Sequence, residues 1–379
     1  MTQKYQMTPY NTFIAKSRYS RYLDDKGRRE HWSETVARYF DFMEKHLEKK
    51  QNYKLTPELR KELQEAVTHL DVVPSMRAVM TAGPALERQN VAAFNCSYLP
   101  IDDPKAFDEA MYILLCGTGV GFSVEQKYVS KLPEVPSKLY DSQTTVVVSD
   151  SKEGWAKSLR QIIALLYAGE VPRYDLSKVR PAGARLKTFG GRASGPGPLE
   201  DLFKYVITKF KGAIGRNLSS LECHDILCKI GEVVVVGGVR RSAMISLSDL
   251  SDDKMAHAKA GNWWDGQAQR ALANNSASYL ETPTIGQFMR EWSSIYESHS
   301  GERGIFNREA SQTQAAKNGR RDATYDFGTN PCSEIILRPY QFCNLSSCII
   351  RSDDDIDSIS NKIRLATILG TFQASLTDF

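Results

Sequence analysis

Long hydrophobic runs are absent from this 379-residue sequence. Its apolar stretches, such as Val233 to Val236, are far shorter than the roughly 20 residues that cross a bilayer as a helix, so no membrane span is expected. The start, Met1-Thr-Gln-Lys-Tyr, has no apolar core of a secretion signal, and a cytoplasmic location is the expectation. Charge of one sign is also scarce, with a net charge of +4. Proteins that grip nucleic acid carry a denser basic stripe, so direct nucleic-acid binding is not expected. The basic residues come instead in small groups: Arg180, Arg185, Lys187 and Arg192; Arg240 with Arg241; Arg320 with Arg321. Groups of that size suit a small polyanion such as a nucleotide. The seven cysteines are an odd number without a signal peptide, which argues against a secreted disulfide framework. They leave three roles open: buried core thiols, metal ligands or redox catalysis. Cys223-His224-Asp225 with Cys228 lacks the second ligand pair of a zinc site, and no metal is expected.

What is present reads as a folded α/β protein. The first ninety residues are helical in pattern. Ser33 is placed to cap a helix with Val36, Phe40, Met43 and Leu47 on one face, and Thr56-Pro57 opens another with Leu59, Leu63, Val67 and Leu70. From Ala92 strands and helices alternate. Phe94 to Leu99 reads as a strand and 105–116 as a helix. Gly117-Thr-Gly-Val-Gly-Phe-Ser-Val-Glu125 reads as a glycine turn entering a strand. Thr144 to Val148 is rich in β-formers, and the next helix has Asp150 and Glu153 spaced as a capping box. The segment from Arg180 to Glu200 is a glycine- and proline-rich loop with basic residues, followed by helices at about 199–213 and 219–236, the second with a valine run that also suits a strand. Gly237-Gly-Val-Arg-Arg-Ser-Ala243 is a second glycine-arginine loop. Gly117-Thr-Gly-Val-Gly lacks full dinucleotide-fingerprint spacing and reads as a tight packing turn.

The sharpest chemical signal is Asn330-Pro-Cys-Ser-Glu-Ile335. In an extended chain Asn330, Cys332 and Glu334 share a face, about 6.5–7 Å apart per step, so an amide, a thiol and a carboxylate could address adjacent atoms of one sugar ring. The competing reading is a turn that happens to hold a cysteine. Cys343 follows eleven residues after Cys332, and Cys96 lies far upstream. Two thiols that become a disulfide drive a two-electron reduction.

Together these segments resemble the catalytic subunit of the ribonucleotide reductases. The matching pieces, in order, are Phe94-Asn-Cys-Ser-Tyr, Gly117-Thr-Gly-Val-Gly-Phe, Gly237-Gly-Val-Arg-Arg-Ser-Ala, Ala273-Asn-Asn-Ser and Asn330-Pro-Cys-Ser-Glu-Ile. Thr188-Phe-Gly-Gly-Arg-Ala-Ser-Gly-Pro-Gly-Pro-Leu is most similar to the monomeric, adenosylcobalamin-dependent class II enzymes that act on triphosphates. The match runs from about residue 65 onward.

The resemblance implies a helical region at 1–90, then at 91–379 the first half of a ten-stranded α/β reductase barrel, with an effector-binding insertion at about 126–215. It implies that Cys332 carries the thiyl radical, Glu334 takes the 3′-hydroxyl proton, Asn330 holds the hydroxyls, and Cys96 with Cys343 supplies the reducing electrons. Ser75, Met76, Asn274, Asn275 and Ser276 are implied in holding substrate. Lys187, Arg192, Gly238, Arg240 and Arg241 are implied in holding a dNTP effector. The implied partners are a ribonucleoside triphosphate, adenosylcobalamin, a thioredoxin-like or dithiol reductant, and the C-terminal half of the reductase as a separate chain or missing segment. The alternatives are an inactive or regulatory dNTP-binding fragment, and a class I reductase fragment that takes its radical from a second protein. Ile363 to Leu376 reads as a helix whose apolar side needs covering, so the chain alone is expected to expose apolar surface and to lack activity.

Overall fold

The computed structural model describes residues 5–184, 192–237, 243–319 and 321–379. They form two compact units, one made of the chain up to Asn95 together with Cys343–Phe379, the other of Cys96–Phe342. The sequence reading draws its boundary near residue 90; the chain from Cys343 onward groups with the N-terminal helices.

In the first unit, helix Trp32–Gln51 buries Val36, Phe40, Met43 and Leu47, as the periodicity predicts. Its cap is His31 rather than Ser33, because Glu34 three residues on accepts the His31 backbone N–H at 2.8 Å. Thr56 caps helix Pro57–Thr68 as expected. Strands Val72–Pro74 and Ser346–Cys348 pair antiparallel. Helix Ile356–Ala374 packs on both strands and on the Pro57–Thr68 helix, burying Leu365, Leu369 and Phe372, with Leu376 buried just beyond. The apolar face expected to lie open is therefore covered within this unit.

The second unit runs β1 (Cys96–Pro100), α1 (Lys105–Leu115), β2 (Gly119–Ser123), β3 (Tyr140–Val147), α2 (Lys152–Tyr167), β4 (Glu170–Asp175), α3 (Gly197–Gly212), α4 (Ser220–Val236), β5 (Met244–Asp249), β6 (Ala273–Tyr279), α5 (Ile285–Ser298), β7 (Gly304–Asn307), α6 (Arg308–Ala316), β8 (Gly328–Thr329), β9 (Ile336–Leu337) and β10 (Gln341–Phe342). A six-stranded sheet has the order β7-β6-β5-β2-β1-β10. Its first five strands are mutually parallel, and β10 lies antiparallel on the edge. β3 and β4 form a separate parallel pair.

Register divides the sheet into two faces, because partner side chains in a parallel ladder point the same way. Val120, Phe122, Met244 and Ala273 face one side, where they join the buried core with residues of α1, α2, α3 and α4. α4 settles the valine run as helix: the Ser219–Glu222 capping box fixes its start, and it is buried on nearly all sides. α2 is capped by Ser151, whose Oγ accepts the Gly154 N–H at 2.9 Å, while Asp150 pairs with Arg180 instead. α5 turns its apolar stripe outward: Ile285, Met289, Trp292 and Tyr296 are all exposed. No helix among the described residues is long and apolar enough to cross a membrane.

Candidate active site

The other face of the sheet carries the chemical residues. Cys96 and Tyr98 of β1 register with Gly119 and Gly121 of β2. The glycines leave a floor of bare backbone, and the β8–β9 hairpin lies on it. A Cβ at Gly121 would stand 1.9 Å from the Thr329 carbonyl oxygen, and one at Gly119 would stand 3.0 Å from Pro331 Cγ. On the hairpin itself, a Cβ at Gly328 would stand 2.1 Å from the Tyr98 ring. The glycine motif is there to let one backbone approach another, a stronger demand than the packing turn read from the sequence.

β8 and β9 pair through Gly328↔Leu337 and Thr329↔Ile336, so residues 330–335 form the loop at the tip. This corrects the extended segment expected there. Ser333 takes a φ of 69°, and its N–H donates to the Asn330 carbonyl at 2.9 Å, closing a tight turn after Pro331. Asn330, Cys332 and Glu334 are thus brought together by a turn and not by strand alternation. Asn330 is fully buried and braces that turn: its Oδ1 accepts the Ile335 N–H at 3.0 Å, and its Nδ2 donates to Cys96 Sγ at 3.8 Å. Thr329 Oγ1 donates to the Ile335 carbonyl at 3.1 Å.

Cys332 and Glu334 are exposed at the tip. Partial burial pushes the Cys332 thiol pKa up, and the Glu334 charge and Cys96 push it further. The structure therefore gathers Cys332, Glu334, Cys96 and Asn330 at one place. A nucleophilic cysteine needs a depressed pKa. This one is biased toward the protonated thiol, which keeps a hydrogen atom on sulfur.

The remaining expected residues are placed as follows. Cys343 is buried and belongs to the first unit, directly after β10. Ser75 and Met76 are also in the first unit. Ser75 is buried, donates to the Ala93 carbonyl at 2.8 Å and caps helix Met76–Thr81. Asn274 and Ser276 register with Ile245 and Leu247, which puts them on the face that carries Cys96. Asn275 registers with Ser246 on the helix-packed face, where its Oδ1 is buried without a hydrogen-bond partner. Arg192 is exposed and donates to the Gly183 carbonyl at 2.9 Å. Lys187, Gly238, Arg240 and Arg241 lie outside the described residues. Cys223 and Cys228 are core residues of α4, and no group of three or more His, Cys, Asp or Glu side chains suited to a metal occurs among the described residues. Sequence reasoning missed a buried ion pair beneath the loop, Glu125 with Arg308. The two lie 183 positions apart, and nothing local marks either of them.

With the geometry in place, comparison with known proteins is specific. Residues 126–208 match the family model described as the insertion domain of B12-dependent ribonucleotide reductase. The adenosylcobalamin-dependent ribonucleoside-triphosphate reductase of Lacticaseibacillus paracasei is 29% identical over 408 residues, covering 87% of this chain. The chain resembles the cobalamin-dependent ribonucleotide reductases. The corresponding reductases of Lactobacillus gasseri and Lactobacillus leichmannii are each 27% identical, again over 87% of the chain. The chain spans about half the length of these relatives, 53% in each case. A crystal structure of a B12-dependent class II ribonucleotide reductase superposes with a TM-score of 0.82 at 23% identity, over 97% of this chain and 59% of that one. That likeness is one of fold: the α/β architecture with its five parallel strands is that of a class II reductase barrel.

Proposed function

We propose that this chain is the part of a ribonucleoside-triphosphate reductase that carries its catalytic cysteines, making deoxyribonucleotides for DNA synthesis. The observation that carries this reading is the loop tip, where Cys332 lies within electrostatic reach of both Glu334 and Cys96 while the flanking Thr329 and Pro331 rest on the glycine floor. A sulfur radical at Cys332 takes the 3′ hydrogen of the ribose, and the Glu334 carboxylate takes the 3′-hydroxyl proton. The 2′ hydroxyl leaves as water. Cys96 and Cys343 supply two electrons and two protons and end as a disulfide, and Cys332 returns its hydrogen to C3′. Asn330, already committed to the turn through Oδ1, orients the loop as well as the sugar hydroxyls.

The antiparallel ladder of β1 and β10 supports the cysteine pairing. Its register runs Gln341↔Tyr98, then Phe342↔Ser97. Cys96 opens β1 and Cys343 directly follows Phe342 in the chain; the pairing requires Cα atoms about 4.4–6.8 Å apart in the oxidised protein.

Cys332 is exposed at the tip, open to a radical source, and adenosylcobalamin, when bound, would supply the one-electron chemistry that removes the thiol hydrogen. Its contacts are assigned mainly outside this chain. Ser75, Met76, Asn274, Asn275 and Ser276 are assigned to substrate. Lys187, Arg192, Gly238, Arg240 and Arg241 are assigned to a dNTP effector held by an effector-binding insertion at about 126–215 and the loop at 237–243, with 1–90 as a helical region and 91–379 as the partial catalytic barrel. A thioredoxin-like protein or small dithiol reloads the cysteines, and the other half of the reductase completes the enzyme, which works in the cytoplasm. The test is a single turnover without external reductant, followed by peptide mapping. A Cys96–Cys343 disulfide should form in step with deoxynucleotide. Product formed while both cysteines remain thiols would overturn the assignment.

A further inference from the structure

The β8–β9 hairpin has only two residue pairs, too few to fix its own position. Its place on the floor is set at its root. Arg308, the first residue of α6, and Glu125, just past the end of β2, are 1% and 0% exposed. Arg308 Nε donates to the Phe327 carbonyl at 2.7 Å, and Phe327 directly precedes β8. The two Nη atoms donate to the Glu125 carboxylate at 2.7 and 2.6 Å, and Ser123 Oγ, at the end of β2, donates to the same carboxylate at 2.6 Å. One guanidinium therefore ties the loop root to the strand whose glycines form the floor.

We propose that Arg308, held by Glu125, is a positioning residue that sets where the hairpin lies along β2 and so where Cys332 stands relative to Cys96. The proposal rests on reading Cys332 as the reacting thiol. Displacements of about 1 Å in such a site change rates by orders of magnitude. Lysine cannot substitute, because a single ammonium has no planar fork to meet a carboxylate side-on while a third N–H reaches a carbonyl.

A second buried pair provides the control. Arg303 donates to both Glu291 carboxylate oxygens, and also to Ser248 Oγ and the carbonyls of Asp249 and Leu250, none of them in the hairpin. It matches the first pair in chemistry and burial, and among the described residues none of its hydrogen bonds reaches the loop.

The experiment measures iodoacetamide alkylation of Cys332, resolved by peptide mass spectrometry from pH 6 to 10, together with the melting temperature. The proteins are the parent, Arg308→Lys, the double variant Glu125→Leu/Arg308→Met, and the control Glu291→Leu/Arg303→Met. Replacing both partners by apolar residues leaves no buried charge unpaired, so the double variants are expected to fold. If Arg308 positions the loop, releasing it moves Cys332 away from Cys96 and the strand floor, and its alkylation at neutral pH rises by about three- to tenfold in Arg308→Lys and in the double variant. The control shifts the melting temperature but leaves Cys332 within about twofold of the parent. An unchanged Cys332 profile in the folded double variant, or an equal change in the control, overturns the proposal. Should the double variant not fold, Arg308→Lys decides alone, since it keeps the charge and removes only the fork. A parent enzyme that never reduces ribonucleotides would sink the reductase reading, and the alkylation profile would still decide the positioning.

Discussion

At the scale of single residues, the site separates the groups proposed to react from groups that hold. Cys332 and Glu334 stand exposed, while Asn330, Arg308 and Glu125 are buried, with hydrogen bonds to backbone, to one another (Arg308 with Glu125) and to the side chains of Cys96 and Ser123. Burial works against the Glu125 carboxylate, but the Arg308 hydrogen bonds outweigh it and hold its pKa below the ordinary value. A depressed folded pKa contributes stability that is fully present above the unfolded value, about 4.3, and is lost as pH falls through the folded value. Glu125→Gln should therefore cost about 3 kcal/mol at pH 7, since it leaves Arg308 buried with less than its full counter-charge. In urea titrations across pH, parent and variant should converge as the solution is taken below about pH 4. A gap that stays constant down to pH 2 would mean that the carboxylate charge is not what stabilises the fold there.

At the scale of elements, the glycine strand and the hairpin belong together. Gly121→Ala should destabilise by about 3 kcal/mol or displace the loop, because its Cβ would fall 1.9 Å from a carbonyl oxygen that belongs to paired backbone. Gly286→Ala, in α5 with nothing within 4 Å of its Cβ, should be neutral or stabilise by about 0.5–1 kcal/mol. Equal effects of the two in denaturant unfolding would rule out the close approach. Much of this element structure was legible in the sequence. The periodicity of Val36, Phe40, Met43 and Leu47, the Thr56-Pro57 start and the helix read at 105–116 are local signals, and all three hold. The cysteine-bearing motif was legible as chemistry and not as shape. Six residues with one proline fit an extended chain and a turn alike, and the turn is decided by Thr329, Asn330 and the floor beneath. The Glu125–Arg308 pair was illegible because its partners meet only once the sheet has formed.

At the scale of the whole molecule, an exposed apolar stripe among the described residues lies on α5, whereas the last helix buries Leu365, Leu369 and Phe372 and exposes Ile356 and Ile363. Ile285, Met289, Trp292 and Tyr296 are exposed there, beside the edge strand β7 with its exposed Ile305. The proposed nucleotide regulation also belongs to this scale, because the matched insertion at 126–208 includes Arg192 and Lys187, the residues assigned to the effector. Equilibrium dialysis should show dNTP binding weakened at least about tenfold by Lys187→Ala with Arg192→Ala, each arginine or lysine contact to phosphate contributing about 1.5–3 kcal/mol. Unchanged affinity would place the effector elsewhere. The central claim is that Cys332 carries the radical chemistry of ribonucleotide reduction. Its most direct measurement is deoxynucleotide formation from a ribonucleoside triphosphate with adenosylcobalamin and a dithiol, in a reductase assembled from this chain and the remaining half, comparing Cys332 with Cys332→Ser. The account predicts product from the parent and none from the variant, whose hydroxyl cannot carry the radical. Turnover by Cys332→Ser at a rate near the parent's would contradict it.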